Sequence, residues 1–433
     1  MKRDIYKHLI NWKSSDRRKP LILRGARQVG KTYILKEFGK NEYENVAYFN
    51  FEEDPGLNDF FKGRIQTEKI IEKLSIYLET KILPEKTLLI FDEVQSSPET
   101  LNSLKYFNEK ANQYHIATAG SLLGIKIGQS APFPVGKVNF MDLYPFSFGE
   151  YLDGLGKSQL RQFLQGKSSF DPIETSFHEE LIDHLKMYYF IGGMPEAILQ
   201  YKNDGDLNKV RVVQQEILTA YEMDFSKYAS KSDAIKITNT WKAIPGQLAK
   251  EKKFRFSEIS KHARARDYNE IIQWLVDAGL VYKCFNVTTP KLPLSGYREE
   301  HIFKLFILDT GLLCAMLNLS QKTIVAGNAL FSEYNGAFVE NYVAQELLGH
   351  GHKEIYYWTS NNRAEVDFII SYNEQIYPLE VKSGMSTKNK SLRMYGEKYH
   401  PPALSRTNLR NFNRDHKINN YPLYAVSLFP RLI

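Results

Sequence analysis

Cysteine is scarce. The 433 residues hold only Cys284 and Cys314, at no spacing that suits a zinc site or a redox motif, so each reads as a small apolar core residue. Long apolar runs are missing too. No stretch approaches the roughly 20 residues that cross a bilayer, so no membrane-spanning helix is expected. The opening MKRDIYKHLINWKSSDRRK has no apolar segment followed by small residues, so no secretion signal is expected and the location read from the sequence is cytoplasmic. What is present, 43% hydrophobic and 25% charged residues, is the make-up of a soluble globular protein. The length suits about three domains, each able to bury its own core. The net charge of +7 is unevenly spread: residues 1–226 carry 29 basic and 31 acidic groups, 227–290 carry 12 and 6, and 291–433 carry 16 and 13. A polyanion is therefore expected against the middle and the C-terminal part.

KPLILRGARQVGKTYILKEFG reads as a short apolar strand, a glycine-bounded loop and a helix. Gly25-Ala26-Arg27-Gln28-Val29-Gly30-Lys31-Thr32 satisfies G-x-x-x-x-G-K-[ST]. The glycines let backbone N–H groups turn inward around a phosphate, and the helix N-terminus adds partial positive charge. Lys31 is expected to reach the β- and γ-phosphates and Thr32 to bind Mg²⁺, which makes ATP and Mg²⁺ the expected cofactors. About sixty residues on, KTLLIFDEVQ is a buried-strand run ending in Asp92-Glu93. Asp92 would hold the Mg²⁺ through water, and Glu93 would polarise the water that attacks the γ-phosphate. NVAYFNFEED (45–54) and YHIATAGS (114–121) are further strand candidates.

RGARQVGKT, LLIFDEVQ, TAGS, and GKV followed by LYPFSFGEYL (136–152) together resemble the AAA-type ATPases of prokaryotes that continue into a C-terminal domain of unknown function. An extra strand between the phosphate loop and the acidic strand, as 45–54 would supply, is what the additional-strand class of P-loop ATPases has, and in that class a polar residue at the next strand's tip senses the γ-phosphate. The resemblance makes Thr118 or Ser121 the candidate, although a Thr and a Ser near a Gly also make an ordinary strand-to-loop turn. Similar proteins usually carry arginine where Lys137 stands, and lysine cannot form the bidentate guanidinium fork.

Residues 153–226 are helical in pattern, broken by MYYFIGGMPEAILQY, a GG-x-PE signature of the resembling family. Gly192-Gly193 reads as a tight packing turn opening a helix at Pro195, with a nucleotide contact as the alternative. From 238, three helical segments pass Gly279 into the alternating strand LVYKCF, the order of a winged helix-turn-helix. Lys250, Lys252, Lys253, Arg255, Lys261, Arg264 and Arg266 gather around the third helix and suit DNA phosphates. A protein-contact module, a nucleotide lid, or an arginine finger from Arg264 or Arg266 remain open.

LFSEYNGAFVENYVAQELLGHG (330–351) has helical spacing, and EIYYWTS, AEVDFII and QIYPLEVKSG follow as strands. Helix, strand, strand with Asp, strand with E-x-K is the core order of the restriction-endonuclease-like fold. That chemistry needs two carboxylates sharing a Mg²⁺ and a cation beside the attacking water. Asp367 and Glu380 would be the ligands, Glu340 an added one, and Lys382 the group that orients the water. Glu380 and Lys382 share a strand face. The plainer alternative is two amphipathic strands of a hairpin. The charges interrupt apolar strands, where burial without a partner is costly. FKLFILDTGLL, GAFVEN, EVDFII and PLEVKSG extend the resemblance to the C-terminal domain of that family, which belongs with the nuclease-like folds. Residues 386–417 hold eight basic and two acidic groups with Tyr395, Tyr399 and Phe412 among them, a composition suited either to a nucleic-acid backbone or to a solvated surface.

The expected fold is α/β: an AAA-type P-loop ATPase domain (1–152), a helical bridge (153–226), a winged helix-turn-helix (227–290) and a restriction-endonuclease-like domain (291–433). The expected function is Mg²⁺-dependent ATP binding and hydrolysis gating a DNA-associated, nuclease-like domain. The alternative is a nucleotide-dependent switch whose C-terminal domain recognises protein or nucleic acid without cutting. A homo-oligomer or a partner protein is compatible with either.

Overall fold

TLLIFD, residues 87–92, is buried at all six positions, as the interior strand of a sheet covered on both faces must be. It is β3 of a five-stranded parallel sheet with β1 (Leu21–Arg24), β2 (Asn45–Asn50), β4 (His115–Ala119) and β5 (Asn139–Asp142), in the order β2-β3-β4-β1-β5. Parallel neighbours need crossovers. The helices Lys31–Glu42, Thr67–Tyr77 and Pro98–Lys110 supply three of them. Phe49, Phe91, Leu104 and Phe107 lie in the core beneath. Because β4 stands between β1 and β3, the C-terminal ends of these three strands lie side by side, the edge at which open α/β sheets bind ligands.

The computed structural model describes residues 1–120, 134, 136–250, 253–261, 263–320, 335–360 and 364–432. The chain divides into two compact units, residues 2–144 with 277–279, and residues 145–276 with 280–433 and Met1. Ser121, expected as one sensor candidate, and Lys252 fall outside the described residues.

The second unit begins with helices. Ser147 caps the helix Phe148–Gly154 in a reciprocal capping box with Glu150, so the polar residues of LYPFSFGEYL set a helix start. The Gly192-Gly193 turn is packed against backbone: a Cβ on Gly193 would lie 2.2 Å from the Phe146 carbonyl oxygen, and Gly192 has φ 77°. Phe146 N–H donates to the Gly193 carbonyl at 2.7 Å, and Gly193 N–H donates to the buried Asp309 carboxylate at 2.5 Å. The geometry is that of a packing turn.

Further along, the helix Lys231–Lys250, the 3-10 turn Phe256–Glu258 and the helix Ala265–Asp277 lead into the antiparallel pair β6 (Val281–Val287) and β7 (Arg298–Ile307). These strands join β8 (Ile355–Ser360), β9 (Ala364–Tyr372), β10 (Gln375–Val381), β11 (Leu404–Asn408), β12 (Asn413–Asp415) and β13 (Ile418–Pro422) in one sheet of order β12-β13-β11-β10-β9-β8-β6-β7. The strand expected as a wing, β6, thus also pairs in parallel with β8. The helix Asn335–Gly349 precedes an antiparallel β8-β9-β10 meander, and the helix Lys390–Tyr399 then returns the chain to β11, parallel to β10. Trp358, Val366, Ile369, Leu392 and Tyr395 pack into one core there. Among the described residues no helix is long and apolar enough to cross a membrane.

Candidate functional sites

The N-terminal site is built on the tips of β1 and β3. Gly25 is needed where it stands: its φ is 152°, and a Cβ would come within 2.3 Å of the Leu143 carbonyl oxygen. The loop hands over at Gly30 to the helix that starts with Lys31. The Lys31 ammonium donates to the carbonyls of Gly25 (3.0 Å) and Ala26 (2.8 Å). Desolvation lowers its pKa to about 8, against the pull of Glu93 and Asp92.

Asp92 is buried at the end of β3 and accepts at both oxygens. The hydroxyls of Thr32 and Tyr48 each donate to Oδ2 at 2.8 Å, and Glu93 N–H donates to Oδ1 at 3.1 Å. Tyr48, on β2, carries no motif signal and was not foreseen. Strand alternation brings its side chain over Asp92 from the neighbouring strand, where Asn50 pairs with Asp92 in register. Glu93 takes a left-handed backbone (φ 49°, ψ 39°), rare outside glycine and common where a side chain is aimed for function. The Gln95 side-chain amide donates to its carboxylate. Thr118 is buried on β4, its hydroxyl without a hydrogen-bond partner among the described residues. Arg27 lies 3.7 Å from Glu52, and Lys137 pairs with Glu109 at 2.9 Å. The structure therefore brings Lys31, Thr32, Asp92 and Glu93 together.

These residues fit a Mg²⁺–nucleotide. The donor set combines loop N–H groups, a cationic side chain and, next to one hydroxyl, a carboxylate whose second oxygen is already oriented.

The second candidate site lies on β7, β9 and β10. Leu379 of β10 stands opposite Phe368 of β9, which sets Glu380 beside Asp367. Asp367 Oδ2 accepts the Val381 N–H at 2.7 Å. Lys382 Nζ reaches Glu380 Oε1 at 2.5 Å, while Glu380 Oε2, in a carboxylate 7% exposed, has no hydrogen-bond partner among the described residues. The expected Asp367, Glu380 and Lys382 thus converge.

Two members of the cluster were missed. Lys304 of β7, its side chain 7% exposed, bridges Glu340 Oε2 at 2.8 Å and Glu365 Oε1 at 2.7 Å. Both signals were in the sequence. Lys304 interrupts the apolar FKLFI, and Glu365, two before Asp367, shares its strand face. Burial raises the Asp367 pKa well above the usual carboxylate value, reinforced by Glu340 and Glu380 and opposed by Lys304 and Lys382. Burial also raises Glu380, against the pull of Lys382. Among the described residues no three His, Cys, Asp or Glu side chains stand as a ready ligand group. The orphaned Glu380 Oε2 beside Asp367 does fit one hard cation, since Mg²⁺ usually takes one or two carboxylates and keeps its waters.

The basic regions divide on burial. Lys250, Lys253, Arg255, Lys261, Arg264 and Arg266 are exposed. In 386–417 the aromatic reading is corrected: Tyr395 packs on Trp358 and Phe412 on Tyr424 in the core, so neither presents a stacking face, and Arg406 is buried on Asn420. Lys388, Lys390, Arg393, Lys398, Arg410, Arg414 and Lys417 remain exposed.

Residues 17–152 match the family model described as "AAA domain", 182–323 match a domain of unknown function (DUF8612), and 335–426 match another (DUF4143). An uncharacterized protein of Methanocaldococcus jannaschii is 24% identical over 245 residues, 51% of this chain and 48% of that one. An uncharacterized protein of Mycobacterium tuberculosis is 25% identical over 195 residues, 44% of this chain and 41% of its own. The chain thus spans about half the length of the curated relatives it matches. A Walker-type ATPase of Pyrococcus abyssi is similar over 73% of this chain and 95% of its own at 12% identity, with a TM-score of 0.46. With the parallel sheet and the phosphate loop, the match over 17–152 makes the N-terminal part of this chain a P-loop domain of the AAA type.

Proposed function

We propose that the chain is a Mg²⁺-dependent ATPase whose nucleotide state governs a C-terminal site acting on DNA. The observation that carries the first half is the Asp92 carboxylate, held by Thr32, Tyr48 and its own backbone at the tip of β3, beside Lys31 and Glu93. Thr32 and Asp92 would hold Mg²⁺, which neutralises charge on the transferred phosphoryl group. Lys31 binds the β- and γ-phosphates. Glu93 would polarise the water that attacks the γ-phosphate, and Thr118, at the tip of the strand between β1 and β3, would sense the γ-phosphate. The residues of 25–32 supply N–H donors to the phosphates.

For the C-terminal site the supporting observation is the meeting of Asp367, Glu380 and Lys382. The helix–meander–helix–strand order of 335–408 supports a restriction-endonuclease-like fold, and 227–290 supports a winged helix-turn-helix followed by its hairpin. Asp367 and Glu380 would hold a divalent cation that polarises a phosphodiester. Lys382 orients the water that attacks phosphorus as the leaving oxygen departs. The exposed basic side chains of 250–266 and of 388–417 neutralise DNA phosphates. The test is supercoiled plasmid with Mg²⁺ or Mn²⁺ and ATP: nicking that Asp367→Ala abolishes is expected, and identical nicking by Asp367→Ala and the parent, or none by either, refutes the cutting role.

A second reading is favoured by the lack, among the described residues, of a three-carboxylate ligand group. In it the C-terminal domain recognises protein or nucleic acid without cutting, under control of the nucleotide. A partner retained by ATP-trapped Glu93→Gln and absent with Lys31→Ala supports that reading, and equal recovery by both variants refutes it.

A further inference from the structure

Lys304 is a buried charge that neither motif explains. Its ammonium lies between Glu340 and Glu365 at 2.8 and 2.7 Å, with a side chain 7% exposed, and Asp367 and Glu380 bear on the same cluster. Four carboxylates therefore meet two ammonium groups, Lys304 and Lys382. A buried lysine is tolerated only where its charge is matched, and the match here is divided between two elements: the helix Asn335–Gly349 brings Glu340 and β9 brings Glu365. The two lysines leave the carboxylates unequally provided for. Glu340 and Glu365 each have a direct cationic partner in Lys304, Glu380 Oε1 has Lys382, and Asp367 has a backbone N–H. Glu380 Oε2, buried, has none among the described residues.

We propose that Lys304 is a resident cation that fills, between Glu340 and Glu365, the position a second divalent ion would take, and so confines the site to one exchangeable ion on Asp367 and Glu380. This deepens the nuclease-type reading of the C-terminal site and rests on it for the identity of the exchangeable ion. The physical case is one of charge and position. An ammonium contacting two carboxylates offers the Coulombic service of a metal ion, yet it is covalently tethered, is not removed by a chelator and donates rather than accepts coordination. Lys304 is on this account a positioning residue: it fixes Glu340 and Glu365, whose charges in turn set the electrostatic field at Asp367 and Glu380.

The experiment is Mn²⁺ titration of the full chain without nucleotide, followed by calorimetry and by the loss of the free-ion electron-spin signal, in the parent and in Lys304→Met. Every measurement is repeated in the Asp92→Asn background, which removes the carboxylate that would hold an ion at the phosphate loop and so keeps weak binding there out of the count. The parent is expected to bind one Mn²⁺ and Lys304→Met two. One ion in both proteins overturns the inference and leaves the Asp367–Glu380 reading intact. No ion in the parent but one in Lys304→Met supports the resident cation and refutes the exchangeable site, and no ion in either refutes both. If Lys304→Met does not fold without metal, Lys304→Met with Glu365→Gln removes an ammonium and a carboxylate together. That double variant is expected to melt closer to the parent than the single variant does, and a double variant that melts lower than the single overturns the inference.

Discussion

Asp309 gives a pH dependence whose sign and size follow from its surroundings. The carboxylate is fully buried at the start of the helix Thr310–Met316, where Oδ1 accepts Leu312 N–H at 2.9 Å and Oδ2 accepts Gly193 N–H at 2.5 Å and the Gln345 amide at 3.4 Å. Burial outweighs these donors and raises its pKa from 3.8 to about 6. Below about pH 4 the group is protonated folded and unfolded, and its contribution to stability is fully present. As pH rises toward 6 the unfolded chain gives up the proton first, so that contribution is lost through the folded pKa and stays lost above it. Between pH 4.5 and 7.5 the loss is about 2 kcal/mol, from roughly 1.5 pH units at 1.36 kcal/mol each. Urea unfolding of the parent and of Asp309→Asn at the two pH values measures it, because Tyr188 and Cys314, the titratable groups that feel Asp309, are common to both proteins. Asn fits the donors less well, so the variant is expected to be weaker at pH 4.5 and to close the gap by about 2 kcal/mol at pH 7.5. A gap that is constant, or that widens with pH, refutes the reasoning.

Gly193→Ala forces a Cβ to within 2.2 Å of the Phe146 carbonyl oxygen and 2.8 Å of its nitrogen, both backbone atoms that cannot yield cheaply, so thermal unfolding should show a loss on the order of 1–3 kcal/mol. Tyr48→Phe removes one of the two hydroxyls on Asp92 Oδ2 and should weaken Mg²⁺–ATP binding several-fold, as for one hydrogen bond of about 1 kcal/mol, with the melting curve little changed. Glu93→Gln should cut ATP turnover by roughly 10²- to 10⁴-fold while a fluorescent nucleotide still binds. Mobility-shift titration with Lys261 and Arg264 replaced by Ala should show DNA binding with a shallower dependence on salt, since about one counterion is released per phosphate neutralised.

The parts of this account legible in the sequence are those with a tight local code. The phosphate loop and the acidic end of β3 are contiguous strings whose residues meet because one strand and one loop carry them. Asp367, Glu380 and Lys382 were legible because period-two alternation fixes strand faces. Tyr48 was not, and Lys304 and Glu365 left only a partial signal, an interrupted apolar run and a shared strand face, since each meets its partner between separate elements, which no spacing along the chain encodes. Tyr395 and Phe412 misled for the opposite reason. Alternating with basic residues looks like a surface, whereas Tyr395 is the apolar face of an amphipathic helix packed on Trp358. The parallel pairing of β6 with β8 was likewise not legible, because β8 lies about seventy residues away in sequence.

The central claim, a functioning ATPase at the phosphate loop, is tested most directly by steady-state phosphate release from ATP, with and without Mg²⁺, in the parent and in Lys31→Ala. The account predicts turnover that requires Mg²⁺ and disappears in the variant. Turnover in Lys31→Ala equal to that of the parent would contradict it.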